Sequence, residues 1–168
     1  MVAEFLFHNI IKGKVFIKIK YFLLYSLLFS VCFSAFAKDT PEILSTTKVI
    51  ITDGDTIKFN NKKIRLHGID TPEIKQLCKN KNGEDYKCGV KAKLALINLI
   101  SSHQVKCSIH GKDRYKRLIA TCFVKNININ EWLVKKGWAL AYRRYSKDYI
   151  EDENYAKRKK LGLWSGSF

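Results

Sequence analysis

The sequence predicts an α+β fold, a five-stranded β-barrel carrying three α-helices. Three observations predict it. Five short β-branched runs are punctuated by turn residues, one amphipathic run falls between the third and fourth of them, and two more helical patterns follow the fifth.

Residues 47–51 and 56–59 are separated by Asp53-Gly54, a turn dipeptide that reverses the chain where bulkier residues would be strained. A third run, residues 63–69, follows a turn at Asn60-Asn61, so three strands meander. In residues 90–100 the apolar Val90, Leu94, Ile97 and Ile100 recur at helical spacing with lysines between, which predicts a helix with that face inward. Residues 105–109 and 118–124 supply two strands around a turn at 111–116. Residues 129–136 repeat the helical pattern and stop at Gly137, a usual residue just past a helix end. Residues 148–160, polar and lysine-rich, predict a last helix ending at Gly162. This order is the layout of an oligonucleotide-binding (OB) barrel. Trp132, Trp138 and Trp164 read as core.

At 168 residues, 46% of them hydrophobic, the chain has room for one domain and excludes two full ones. That domain is residues 47–165, after a polar linker at 38–46 and before a short tail at 166–168. Residues 1–37 read differently. Lys12, Lys14, Lys18 and Lys20 precede an apolar run at 21–36 that ends in Ala35-Phe36-Ala37. A basic region, an apolar core too short to span a bilayer comfortably and a small-x-small site make a secretory signal peptide cleaved after Ala37. The stretch before the core is itself partly apolar (Phe5, Leu6, Phe7, Ile10, Ile11), so an uncleaved membrane anchor is the alternative. Val31 before Cys32 argues against lipid attachment. The expected location is secreted or periplasmic.

Lysine and arginine outnumber aspartate and glutamate 31 to 15. Removing the leader with its four lysines and Glu4 leaves 27 against 14, so the excess belongs to the mature domain. It favours polyanionic partners, nucleic acid or anionic membrane, without choosing between them.

Four cysteines remain after cleavage: Cys78, Cys88, Cys107 and Cys122. In an oxidising compartment such cysteines pair, and four allow three connectivities. Cys107 and Cys122 lie symmetrically about the turn near Arg114-Tyr115, which places them across a hairpin, and Cys78 and Cys88 then close a polar loop. The competing zinc site lacks a C-x-x-C pair and any paired histidine spacing. His67, His103 and His110 have no partner pattern and read as structural or surface residues.

The chemistry-bearing residues cluster at turn edges: Asp53-Gly54-Asp55-Thr56, Arg65, Asp70-Thr71-Pro72-Glu73 and Asp113-x-Tyr115-x-Arg117. Singly each has a local explanation. Asp-Gly is a turn, and Thr71-Pro72 resembles a helix cap followed by proline in the first turn, where Glu73 suits the dipole. Jointly they meet the needs of phosphodiester hydrolysis, which are a hard cation held by oxygen, an activated water and cationic donors for the charged phosphoryl oxygens. Asp55 and Asp70 supply hard ligands, and the Thr71 carbonyl could supply another. Glu73 could take the proton of an attacking water. Arg65 and Arg117 offer forked donors that lysine cannot reproduce.

These residues resemble the staphylococcal-nuclease-like, or thermonuclease, family. The resemblance is carried by Asp53-Gly54-Asp55-Thr56, by Arg65-Leu66-His67-Gly68-Ile69-Asp70-Thr71-Pro72-Glu73 and by Asp113-Arg114-Tyr115-Lys116-Arg117-Leu118, and it covers residues 47–165. It implies an OB-fold barrel with three helices, calcium (Ca2+)-dependent cleavage of DNA and RNA, and 3′-phosphate products. Asp55 and Asp70 would then bind calcium, Glu73 would act on the water, and Arg65 and Arg117 would grip the scissile phosphate. Lys116 stands where the family often has glycine, which predicts a turn of different shape before Arg117.

Tyr115, Tyr142 and Tyr145 fall near the motifs or the expected barrel end, interleaved with Arg143 and Arg144. Aromatic faces beside cations suit unpaired bases and phosphates, so Tyr115, Tyr142, Arg143 and Tyr145 are candidate contacts to a single-stranded substrate. The expected state is a monomer without a protein partner. Two other classes compete, a non-catalytic nucleic-acid-binding module on the same barrel and a tethered protein that binds anionic lipid. The second leaves the clustered carboxylates unexplained.

Overall fold

The computed structural model describes residues 41–168, and the expected leader lies outside them. The chain forms β1 (Ile43–Thr46), β2 (Val49–Ile51), β3 (Thr56–Phe59), β4 (Lys62–Leu66), β5 (Ile69–Asp70), β6 (Leu77–Lys79) and β7 (Asp85–Lys87). Then follow α1 (Cys88–Ile100), β8 (Val105–Lys112), β9 (Leu118–Val124), β10 (Ile127–Asn128), α2 (Ile129–Lys135), β11 (Leu140–Ala141), α3 (Ile150–Lys159) and a 3-10 turn at Gly162–Ser165.

The main sheet runs β1-β8-β9-β4-β3-β2, with β10 attached to β9 and β4 parallel to β9. Its two edges, β1 and β2, are consecutive in sequence and joined only by Thr47 and Lys48. The three steps from Thr46 to Val49 reach about 10 Å at most, whereas six flat strands at about 4.8 Å spacing would hold their edges about 24 Å apart. The sheet must therefore curl until its edges approach, which is the barrel the element order predicts. β1 itself corrects the sequence reading, because the expected linker contributes four residues that pair with β8 from Ile43↔Ser108 to Thr46↔Val105. The tail is likewise tied down, with Ser167 bridged to Lys79.

Inside the curl lie Ile57, Phe59, Ile64, Leu66, Val105, Leu118, Ala120 and Val124, closed by Leu96 and Ile100 of α1 and Ile129, Leu133 and Val134 of α2. Fully burying each large aliphatic contributes about 2 kcal/mol. Asn130, wholly buried, fastens α2 to the sheet. Its amide nitrogen donates to the His67 and Ala120 carbonyls, at 2.9 and 3.2 Å, and its side-chain oxygen accepts from the Cys122 amide. Trp132 and Trp138 are only partly buried, packed on the core from outside, and Trp164 stands edge-on to Phe168 with Lys157 over its ring.

The inward face of α1 differs from the expected stripe. Cys88, Ala92, Leu96 and Ile100 are buried, while Leu94 and Ile97 are 43% and 38% exposed. Residues four apart stay nearly in line along a helix. The stripe that is buried starts at disulfide-bonded Cys88 and is the face packed against α2, β2 and β6.

Two further differences shape the site. The expected strand at 63–69 is two strands, because Gly68 takes φ +71° and turns the chain, so that β5 leaves the sheet to pair with β11. No helix follows Thr71-Pro72. The segment makes one turn, closed by the Gln76 amide donating to the Glu73 carbonyl, and continues into the β6–β7 hairpin. Both disulfides have the expected pairing, Cys78–Cys88 across that hairpin and Cys107–Cys122 opposite each other on β8 and β9.

Candidate active site

Asp55 enters β3 at the bottom of the site and is 2% exposed. One carboxylate oxygen accepts from the Thr56 hydroxyl and from Arg65 Nη1, and the other accepts from the Thr71 amide at 3.1 Å. The approach of the Asp53-Gly54 turn to Thr71 requires glycine, since a β-carbon at Gly54 would come within 2.7 Å of the Thr71 hydroxyl oxygen. Arg65 stands on β4 opposite Thr56. Its second nitrogen, Nη2, donates to Asp70 Oδ1 at 2.6 Å and to the Ile69 carbonyl at 3.3 Å. One guanidinium thus bridges a buried and a half-exposed carboxylate.

Glu73 is exposed and faces the same cleft, and its carboxylate has no hydrogen-bond partner among the described residues. Across the cleft, Arg117 is held by Asp113, whose Oδ2 accepts from Arg117 Nε at 2.7 Å and whose Oδ1 accepts from the Tyr115 and Arg117 amides at 2.9 Å. Lys116 adopts φ +63°, the left-handed conformation that favours glycine, so the turn before Arg117 takes a glycine-type shape despite the lysine. The cleft is about 830 Å³ and brings Arg65, Asp70, Glu73, Tyr115, Arg117, Tyr142 and Tyr145 together. Tyr142 and Tyr145 pack edge to face at 4.8 Å, and the Arg114 and Arg117 guanidinium carbons lie 4.8 and 5.5 Å from the Tyr115 ring centre.

Arg143 is engaged by α3 and does not line the cleft: its Nη2 donates at 2.6 Å to Glu153, a buried carboxylate that also accepts from Lys157 and the Ala141 amide. Its neighbour Arg144 lines the cleft instead, with Lys112 and Arg114. The two arginines are equivalent in sequence, and Glu153, flanked by other acidic residues, carries no sequence signal that it is the buried one. His67 and His110, without a partner pattern in sequence, meet in the cleft with ring centres 5.2 Å apart.

The electrostatics follow from burial and pairing. Burial pushes the Asp55 carboxyl up to about 7, with Asp53 adding to the push and Arg65 opposing it. Burial would lower Arg65, but Asp55 and Asp70 outweigh it and hold the guanidinium charged. At Asp113 the upward push of burial is overcome by the hydrogen bonds from Arg117 and the turn amides, which hold it below the usual carboxylate range. Burial and the neighbouring His110 lower His67, against the pull of Asp148.

A family model described as "Staphylococcal nuclease homologue" matches residues 63–166. Among curated relatives, the chain is 34% identical over 117 residues to "Succinoglycan biosynthesis protein ExoI" of Rhizobium meliloti, an alignment covering 68% of this chain and 61% of that one. It is 36% identical over 129 residues to an "Uncharacterized endonuclease" of Haemophilus influenzae, covering 72% and 67%. It is 30% identical over 140 residues to "Staphylococcal-like nuclease CAN1" of Arabidopsis thaliana, covering 77% and 40%. The chain spans about two thirds or less of the length of these relatives. With the family model matched over more than half of its residues, and on a curled sheet with three helices, this chain belongs to the staphylococcal nuclease family.

Proposed function

We propose that this chain is an exported, calcium-dependent nuclease that hydrolyses the phosphodiester bonds of DNA and RNA and leaves 3′-phosphate ends. The observation that carries the reading is the convergence of Arg65, Asp70, Glu73 and Arg117 on one cleft, with Asp55 beneath Arg65.

The residues present fit a hard divalent cation. Asp55, Asp70 and the Thr71 carbonyl offer only oxygen, and the charge of buried Asp55 is incompletely compensated by its neighbours. Among the described residues no three His, Cys, Asp or Glu side chains cluster as a metal cage, so water or phosphate oxygens would complete the shell, as hard cations allow. Such an ion supplies Lewis-acid stabilisation of the phosphoryl oxygens and a more acidic bound water.

Arg65 and Arg117 donate to the phosphoryl oxygens as negative charge grows there. Arg65 can exchange its half-exposed partner Asp70 for phosphate while keeping its hold on Asp55. Glu73, free of competing donors, accepts the proton of the water attacking phosphorus. The bond from phosphorus to the 5′-oxygen breaks, that oxygen takes up a proton, and phosphate stays on the 3′ side.

Tyr115, Tyr142 and Tyr145 give stacking faces for unpaired bases beside the cations, which favours single strands. Export to the periplasm or beyond agrees with two disulfides among the described residues. An uncleaved anchor would hold the same domain at the membrane.

Digestion of denatured DNA by the purified protein, titrated with calcium and followed by end-group analysis, tests the reading. Cleavage that needs calcium, stops with chelator and yields 3′-phosphate supports it. Binding without cleavage would return the chain to the class of non-catalytic modules.

A further inference from the structure

The Glu73 segment is held from behind by the first two residues of α1. At Gly89 a β-carbon would overlap the carbonyls of Pro72 and Glu73, so the helix start lies directly against that backbone. Cys88, one residue earlier, is bonded to Cys78, and its sulfur lies 3.5 Å from the Gln76 carbonyl oxygen. Gln76 closes the arc from within, its amide donating to the Glu73 carbonyl at 2.8 Å and its side-chain oxygen accepting from the Glu73 amide at 3.3 Å. α1 is in turn anchored by Ala92, Leu96 and Ile100 in the core. Since no described side chain holds the Glu73 carboxylate, its direction is set by this backbone arc.

We infer that Gly89 and the Cys78–Cys88 disulfide are positioning elements for Glu73, fixing the arc that aims its carboxylate into the cleft. The inference rests on the nuclease reading with Glu73 as proton acceptor. A proton acceptor on an exposed, irregular segment contributes only when it is confined near the attacking water, and small misplacements are costly. The other disulfide has no such role. Cys107 and Cys122 face each other at the middle of five regular pairs, Val105↔Val124 to Ile109↔Ala120, that already fix them, so that bond adds stability without aiming a site residue.

The test uses the full chain and a double-mutant cycle. In C78S/C88S, kcat is expected to fall roughly 10- to 100-fold with KM unchanged within about twofold. In the E73Q background the same pair should lower the residual rate no further, because the group being aimed is gone. An equal proportional loss in both backgrounds, or an unchanged kcat, would overturn the inference. C107S/C122S is the control, expected to melt earlier with normal kcat when folded. Gly89→Ala keeps both disulfides and is expected to reproduce the kcat loss, so wild-type turnover in this variant overturns the inference even where C78S/C88S does not fold. Amide exchange at Gln76 reads the clamp without any cleavage. It should quicken by about tenfold in C78S/C88S, and unchanged exchange sinks the clamp itself. Absence of cleavage by the wild-type protein would instead count against the nuclease reading.

Discussion

Arg117 Nε donates to Asp113 Oδ2 at 2.7 Å, across a turn in which the same aspartate also accepts two backbone amides. The arginine is thereby held in the cleft by a residue that itself faces the turn. Asp113→Ala should release it and lower kcat about tenfold, with a smaller effect on nucleic-acid binding. Steady-state digestion of a defined oligonucleotide separates the two, and a variant with full turnover would show that Arg117 is aimed by something else.

Glu73→Gln keeps shape and exposure but removes the proton acceptor. Its turnover should drop by roughly 10²- to 10⁴-fold while affinity for single-stranded DNA, measured by fluorescence anisotropy, stays close to wild type. Retained turnover would remove Glu73 from the mechanism.

Arg143 and Arg144 are adjacent yet should behave oppositely. Arg144→Ala is expected to weaken DNA binding and to reduce the slope of log affinity against log salt by about 1. Arg143→Ala should leave that slope alone and destabilise the fold, because Glu153 loses its 2.6 Å partner. The discount for the half-exposed arginine keeps the cost near 1 kcal/mol. Salt titrations and thermal melts of both variants distinguish the assignments.

Glu153 also sets a pH dependence. Burial alone would raise its carboxyl, but hydrogen bonds from Arg143, Lys157 and the Ala141 amide prevail and hold it below the ordinary glutamate value. A depressed folded value means that stability is fully present above the unfolded value of about 4.3 and is lost as pH falls through the folded one. The melting temperature of wild type should therefore fall more steeply below that pH than that of Glu153→Gln. Parallel profiles would falsify the assignment.

The candidate site was legible to the extent that its parts are contiguous. Arg65, Asp70, Thr71 and Glu73 fall within nine consecutive residues, and chemistry that needs several groups at fixed spacing leaves a mark in such a run. The five main strands and three helices were legible for a similar reason, since alternation and helical spacing are local patterns. The pairing of the cysteines followed from the hairpin around the turn at 111–116.

What the chain order left open was decided by contacts distant in sequence. β1 has little periodicity of its own and becomes a strand because β8, some sixty residues later, offers an edge. The inward face of α1 is chosen by the elements it packs against, α2, β2 and β6, which buries Ala92 and leaves Leu94 outside. The difference between Arg143 and Arg144 is made by Glu153, ten residues later on α3. The opening pair shows both sides. Asp113 and Arg117 were visible as a motif, because turn chemistry is local, but that Arg117 shares a cleft with Glu73 and Arg65 depends on the curl of the sheet. Residue type and spacing determine which groups the chain can offer, and only long-range packing decides which of them face one another.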